Sequence, residues 1–262
     1  MKILSYSERG IVNSLFYEMK FGKAHLFQEF LKLIFFPFRE TEKIDFNVNL
    51  ENDITIFIEQ SFSDFGDADI VLLFKDNTIG NTIIFIEAKV CAENEWLLSK
   101  SYEDFVFGVN QIKKGEKAEG HSSNLFTQLY HKYHLIKFLN SNDEEVLLEL
   151  SPKGLNGKRS IGKNETVREA IEIFKNHGTD NCFYVALIPE KEMNHSTDLS
   201  YIHYVEDWSD AKNKFGIITW RDVHEYVKNN IKYFTNTEAV FSHNQSLGNQ
   251  KRTKNQIYYP EN

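Results

Sequence analysis

Residues 66–90 read GDADIVLLFKDNTIGNTIIFIEAKV and contain two apolar runs separated by a polar turn. The runs, residues 68–74 and 82–89, are rich in isoleucine, valine, leucine and phenylalanine, which favour β-strands. The residues between them, 76–81, include Gly80 and are typical of a tight turn. This stretch therefore predicts a β-hairpin.

Charged side chains share one face of the second run. Because successive side chains of a strand alternate between its two faces, Glu87 and Lys89 project from the same face, about 7 Å apart. If the turn is centred at Thr78, Asp69 lies directly opposite Glu87 in the hairpin. We therefore expect Asp69, Glu87 and Lys89 to converge on one face of an otherwise apolar hairpin.

These three side chains suit metal-assisted hydrolysis. Carboxylate oxygens are the ligands that Mg²⁺ and Mn²⁺ prefer, and a lysine side chain can help to orient or deprotonate an attacking water. Two facing carboxylates in a half-buried sheet repel, and a divalent cation compensates that cost better than one lysine does. The alternative is a cross-strand salt-bridge cluster. The tripeptide Glu-x-Lys alone is weak evidence, because it recurs at residues 18–20 in a predicted helix.

Apolar periodicity predicts further elements on both sides of the hairpin. The predicted elements are helices at 8–21, 23–36, 102–111, 125–139, 166–175 and 221–231, and strands at 54–59, 68–74, 82–89, 183–188 and 216–219. Pro37 is expected to end the second helix. This order favours an α/β fold with a mixed central sheet flanked by helices. We expect one domain over residues 1–235 and a loosely held polar tail over residues 236–262.

Composition limits the classes of partner. The 262 residues include 38 acidic and 30 basic side chains, a net charge of −8, so any polyanion is expected to bind locally. Residues 151–164 carry four basic residues and no acid: Lys153, Lys158, Arg159 and Lys163. This loop suits phosphate contacts, and a solvated loop is the equal alternative. The absence of a signal-like or membrane-spanning run in the sequence leads us to expect a cytoplasmic protein without membrane contacts. Cys91 and Cys182 lack the spacing of a disulfide framework or zinc site, so both are expected to be buried or incidental thiols.

The segments GDADI and IEAKV resemble the signature of the PD-(D/E)XK nuclease superfamily, an Asp on one strand followed by Glu-x-Lys on the next. The order of elements is also similar, over roughly residues 1–235, although Ala68 stands where the motif name has proline. The resemblance implies a restriction-endonuclease-like fold and Mg²⁺- or Mn²⁺-dependent cleavage of nucleic acid, DNA in preference to RNA. It implies that Asp69, Glu87 and the backbone carbonyl of Ala88 bind the metal and that Lys89 positions the water.

Members of this superfamily often carry further site residues on helices. Glu8 matches the acid of the opening helix, a metal ligand or base; the alternative is a charge that favours the helix dipole. Gln128 and Tyr133 in TQLYHKY are the nearest match to a Gln and Tyr on the helix after the core strands, although Lys132 stands at the usual place of the tyrosine. Because Lys132 lies on an apolar helix face, we expect it to be exposed or functional.

Several neighbouring residues have less specific readings. Asp67 competes with Asp69 for the first metal position, and Glu59 is expected to be an edge or turn-facing acid rather than an extra ligand. Helix packing or surface exposure is expected for His131 and His134. The remaining aromatic candidates, expected in the core or an interface, are Trp208 and Trp220.

Two other functions stay open at this point. One is a nuclease-like fold that has lost activity and binds nucleic acid or protein. The other is a metal hydrolase on an unrelated α/β scaffold that acts on small phosphoesters. A homodimer is also left open by the resemblance, because double-strand cutters of this kind often act as dimers.

Overall fold

The computed structural model describes residues 8–50, 53–89, 114, 125–141, 164–188 and 211–246. The described part is an α/β protein with a five-stranded mixed sheet and six helices. The helices are α1 (Glu8–Phe21), α2 (Ala24–Leu31), α3 (Leu125–Ser141), α4 (Glu165–His177), α5 (Trp220–Asn229) and α6 (Thr235–Ser246). The strands are β1 (Thr55–Ser61), β2 (Asp67–Asp76), β3 (Gly80–Ala88), β4 (Asn181–Ile188) and β5 (Phe215–Thr219). The predictions for Cys91, residues 102–111, the basic loop 151–163, Trp208 and residues 247–262 lie outside the described residues.

The sheet has the order β1-β2-β3-β4-β5. The first three strands are antiparallel neighbours, and β4 and β5 continue the sheet in parallel with β3. In the β2–β3 hairpin, Ile70 lies opposite Ile86 and Lys75 opposite Asn81, so the predicted register centred at Thr78 is confirmed.

Asp76 fixes the hairpin turn. Its Oδ1 accepts hydrogen bonds from the backbone N–H groups of Thr78 at 2.7 Å and Ile79 at 3.0 Å. Gly80, at a φ of 87°, occupies the left-handed conformation that glycine adopts without steric cost. The turn chemistry is therefore local, which explains why the register was readable from the sequence.

Helices cover both faces of the sheet. Helices α1, α2, α5 and α6 pack on one face, where Ile84 and Ile86 of β3 point, and α3 and α4 pack on the other, where Ile83 and Phe85 point. Cys182 is a buried free thiol on the face of the sheet that α3 and α4 cover, as predicted. None of the helices in the described ranges is both long enough and apolar enough to cross a membrane.

The second helix is shorter than predicted. It ends at Leu31, and the expectation that it continues to Phe36 and stops at Pro37 is wrong. The chain leaves the helix because Phe35 forms an antiparallel bridge with Ile217 at the outer edge of β5, with N–H···O distances of 2.8 and 2.7 Å. These bonds use the backbone groups of Phe35 that a longer helix would have used.

The polar segment after Thr235 is not a loose tail over its first part. Residues 235–246 form α6, and Val240 and Phe241 are buried in the core that α6 shares with α1, α2 and α5. The expectation of an aperiodic tail is therefore wrong for this segment. Its apolar pattern is weak, and contacts with α1 supply what the local sequence lacks.

Candidate active site

The predicted site lies where the β2–β3 ladder ends. Ile70 and Ile86 form the final backbone pair at this end of the hairpin. Beyond it, the N–H of Ala88 donates to Oδ2 of Asp69 at 2.7 Å. The Asp69 carboxylate therefore joins two strands whose backbones have stopped pairing.

Strand β3 stays attached to β4 at the same level. Ala88 is paired with Leu187, and the N–H of Lys89 donates to the Leu187 carbonyl at 2.9 Å. The carbonyl of Lys89 accepts a hydrogen bond from Nε1 of Trp220 at 2.8 Å. The backbone that carries Glu87 and Lys89 is thus held on one side by the sheet and at its end by a buried indole.

Glu87 is fully buried in this setting. Desolvation raises the pKa of its carboxyl from 4.5 to about 7, the charges of Lys132 and Lys89 lower it, and the charge of Asp69 raises it further. Asp69, Glu87 and Lys89 therefore interact electrostatically in one cluster, and Lys132 joins them.

Lys132 of α3 is the cation closest to Glu87. Its Nζ lies 3.3 Å from Oε1 of Glu87, and both side chains are completely buried. The same Nζ donates hydrogen bonds of 2.9 Å to the carbonyls of Phe65 and Asp67. Of the two roles expected for Lys132, surface exposure is wrong. The signal in the sequence was a lysine on the apolar face of a helix.

The carboxylate of Glu87 remains incompletely satisfied. Oε1 of Glu87 faces Lys132 at 3.3 Å, and Oε2 has no hydrogen-bond donor within the described part of the structure. A buried acceptor without a donor is costly, and a cation placed between Asp69 and Glu87 relieves that cost. The site chemistry therefore fits a hard divalent ion, which takes one or two protein carboxylates and keeps several waters.

The ligand set would be small. Across the ranges that the structure describes, no three His, Cys, Asp or Glu side chains lie close enough together to hold a metal ion. Asp69 and Glu87 are the carboxylates available, and the N–H of Ala88 faces Asp69. Because N–H and C=O of one strand residue point the same way, we expect the Ala88 carbonyl on this side as well.

Glu8 lines a cleft together with Asp69, and Glu87 is not among the residues that line this cleft. Glu8 and Asp69 share this narrow cleft with Arg9, Val12 and Glu59, and the cleft is too tight to admit a water molecule. In this cleft, Nη1 of Arg9 lies 3.6 Å from Oε2 of Glu59, whose side chain is 38% exposed. Glu59 is thus an ion-paired acid at the edge of the site.

Helix α3 presents Gln128 one turn before Lys132, on the same helix face. The Gln128 side-chain oxygen is buried and lacks a hydrogen bond to any described residue. Tyr133 points into the core instead, with its ring 5.7 Å from Tyr184 and 6.4 Å from Phe215. Tyr133 thus packs against the core, and both Gln128 and Tyr133 stay predictions.

The remaining candidates have structural explanations. Asp67 is exposed and contributes its carbonyl to Lys132, so Asp69 is the better placed of the two acids. His131 and His134 are buried in α3, where the ring of His134 contacts that of Tyr130 at 4.3 Å. Trp220 is fully buried, in agreement with the core position expected for it.

The geometry thus brings two carboxylates and two lysines together at the end of a hairpin, with Gln128 and Glu8 on flanking helices. The PD-(D/E)XK resemblance was drawn from these same strand residues. Comparison of the chain with protein-family models, curated proteins and solved structures gives no match.

Proposed function

We propose that the protein is a nuclease that uses Mg²⁺ or Mn²⁺ to hydrolyse phosphodiester bonds, with DNA as its substrate. The observation that carries this proposal is the register that sets Asp69 opposite Glu87 and beside Lys89, where the β2–β3 ladder ends. A restriction-endonuclease-like fold and membership of the PD-(D/E)XK superfamily form part of the proposal. They are supported by the antiparallel β1–β2–β3 meander followed by a parallel strand.

The proposal assigns a role to each residue of the cluster. Asp69, Glu87 and the Ala88 carbonyl hold the cation, and Glu8 adds a carboxylate from α1. When bound, the cation supplies a Lewis acid and lowers the pKa of a coordinated water. Lys89 orients the attacking water. Gln128 provides an amide to the polar lining.

Lys132 is assigned a positioning role. Its charge favours the ionised form of Glu87, and its bonds to the carbonyls of Phe65 and Asp67 hold the turn that leads into β2. The ion pair therefore fixes Glu87 and partly offsets the burial that raises its pKa to about 7. A hard cation binds the ionised form of a carboxyl group, so binding of the cation displaces the proton that remains.

The same ion pair favours a second candidate function. Lys132 already supplies a positive charge to Glu87, which is part of the compensation expected from a metal. In that case the acids stabilise the fold, and the protein is an inactive nuclease-like module that binds nucleic acid or protein. The two functions differ in their dependence on divalent ions.

A cleavage assay separates them. Supercoiled plasmid, linear duplex, single-stranded DNA and RNA are incubated with the parent protein in Mg²⁺, Mn²⁺ or EDTA, beside folded Asp69→Ala and Lys89→Ala proteins. We expect metal-dependent cutting of DNA that falls at least about 100-fold in both variants. Asp67→Ala is the matched control, because this exposed acid two residues away contributes only its carbonyl, and it should cut like the parent.

Equal cutting by a folded Lys89→Ala protein would remove the role of Lys89. If no substrate is cut and divalent ions leave the melting temperature unchanged, the binding module is favoured. Turnover of a small phosphoester without cleavage of any polynucleotide would indicate a different metal hydrolase.

A further inference from the structure

A groove leads away from the acidic cleft between helix α1 and strand β1. Its volume is about 690 Å³, and it is lined by the second half of α1, the start of α2 and one face of β1. One end of the groove adjoins the cleft of Glu8 and Asp69, because Val12 of the cleft and Phe16 of the groove lie on successive turns of α1. On the opposite wall, Glu59 of the cleft directly follows Ile58 of the groove.

The groove has an apolar floor and an aromatic, basic rim. Phe16, Ile56 and Ile58 belong to the floor. Tyr17 lines the groove and is 60% exposed; Phe21 does not line it but is 82% exposed on the same side of α1, four residues further along. Such exposure is unusual for side chains of this size, and adjacent exposed aromatics mark interaction sites.

The charged residues that line the groove have one sign. Lys20 and Lys23 are exposed lining residues, and no acidic residue is among the residues that line the groove in the described structure. Nζ of Lys20 lies 6.0 Å from the ring centroid of Phe21. In a chain of net charge −8, a basic and aromatic rim is complementary to an anionic ligand with flat rings.

A third lysine, Lys232, lies outside the groove near Lys23, because both contact Tyr233. Nζ of Lys232 lies 4.8 Å from the ring centroid of Tyr233. Desolvation raises the pKa of the Tyr233 hydroxyl, but hydrogen bonds and charges from Lys23 and Lys232 outweigh it and lower the pKa overall. Lys23 and Lys232 therefore both lie close to the Tyr233 hydroxyl.

We propose that the α1–β1 groove binds a single-stranded segment of the nucleic acid substrate and leads it to Asp69. Lys20 and Lys23 contact phosphates, and bases stack on Tyr17 and Phe21. The segment is single-stranded because only unpaired bases offer free faces to an aromatic side chain. This inference rests on the proposed nuclease function for the identity of the ligand.

Equilibrium binding tests the groove without cleavage. Fluorescence anisotropy of a fluorescein-labelled single-stranded oligonucleotide and of its duplex is measured in EDTA. The variants are Tyr17→Ala/Phe21→Ala and Lys20→Glu/Lys23→Glu, whose side chains are exposed and whose folding is checked by melting temperature. The controls are Leu50→Ala and Lys175→Glu, which change an exposed apolar residue and an exposed helical lysine outside the groove.

We expect the parent to prefer the single strand and each double variant to weaken its Kd about tenfold. The lysine variant should also reduce the slope of log Kd against log salt by about one to two. Both controls should bind like the parent. Equal weakening for the duplex, no binding of the single strand, or parent-like binding by both groove variants would overturn the inference and leave the groove for a peptide or a second copy of the chain.

The cleavage assay run on the same proteins distinguishes this failure from failure of the nuclease proposal. If cutting depends on metal and Asp69 but the groove variants bind and cut like the parent, the groove assignment is wrong and the nuclease stands. If the single strand binds through the groove and nothing is cut, the groove assignment stands and the nuclease proposal fails.

Discussion

A fully buried carboxylate such as that of Glu87 depends on its neighbours for compensation. Lys132 lies 3.3 Å away, yet the pKa of Glu87 is still raised to about 7, because desolvation outweighs the favourable charges. The residue therefore costs stability whenever it is ionised without a further cation. Residues that cost stability in this way are expected at functional sites more than elsewhere.

This cost predicts a pH dependence in metal-free buffer. The folded protein keeps the proton of Glu87 up to about pH 7, whereas the unfolded chain loses it near pH 4.5, so the free energy of unfolding falls as the pH rises between these values. The difference in free energy of unfolding between the parent and Glu87→Gln should change by about 3 kcal/mol from pH 4.5 to 8. Urea unfolding in EDTA at several pH values measures it.

Two further variants sharpen the test. Lys132→Met removes a charge that lowers the pKa of Glu87, so the decline should extend to higher pH. Glu169→Gln changes an exposed acid on α4 and should follow the parent at every pH. Parallel pH curves for the parent and Glu87→Gln would contradict the assignment of a raised pKa to this residue.

Helices α1 and α6 are joined at the N-terminus of α6. The first N–H groups of α6 have no partners inside that helix, and the Glu18 carboxylate of α1 accepts from two of them. Its Oε1 is 2.9 Å from the N of Asn236, and its Oε2 is 2.8 Å from the N of Thr237. The hydroxyl of Thr237 also donates to Oε2 at 2.7 Å. An acid at a helix N-terminus also interacts favourably with the helix dipole.

Removal of this cap should loosen α6. Glu18→Ala is expected to lower the free energy of unfolding by about 1–2 kcal/mol, because several amide donors lose a charged acceptor. In the Glu18→Ala protein, hydrogen exchange measured by mass spectrometry should become faster than in the parent over residues 235–246, and the exchange of α4 should change less. Glu169→Ala, an exposed helical acid, serves as the control, and unchanged exchange in α6 would show that Glu18 is dispensable for this helix.

At the scale of the whole molecule, the segment after α2 joins the N-terminal helices to the far edge of the sheet. Phe35 forms its bridge to Ile217 across a long stretch of chain, and Gly216 allows the close approach. A Cβ at Gly216 would lie 2.8 Å from Cγ2 of Ile34 and 3.0 Å from Cε1 of Phe36. These contacts are with well-packed, buried side chains, which cannot move without cost.

Gly216→Ala should therefore lower the free energy of unfolding by about 1–3 kcal/mol. Ile34→Ala removes the nearest of the clashing atoms, so the cost of Gly216→Ala should be smaller in that background. A double-mutant cycle measured by urea unfolding tests this coupling. Additive effects of the two substitutions would mean that Ile34 and Gly216 do not constrain each other.

Local patterns were sufficient for most of the fold. The bounds of α1 and the hairpin register follow from side-chain periodicity and from a short turn that Asp76 closes with its own neighbours. The early end of α2 and the formation of α6 were not predictable in this way. Phe35 leaves the helical pattern for a distant strand, and α6 depends on an acceptor in α1.

The sequence by itself determined the hairpin register that puts Asp69 and Glu87 at opposing positions just beyond the last backbone pair, because strand alternation and a three-residue turn leave one arrangement. Only the tertiary structure decided that Lys132 meets Glu87 in the interior and that the seam between α1 and β1 forms a basic, aromatic groove. The physical reason is that burial and electrostatic compensation depend on groups far apart in the chain. Periodicity reports the face on which a side chain lies, and the packing of elements decides what that face meets.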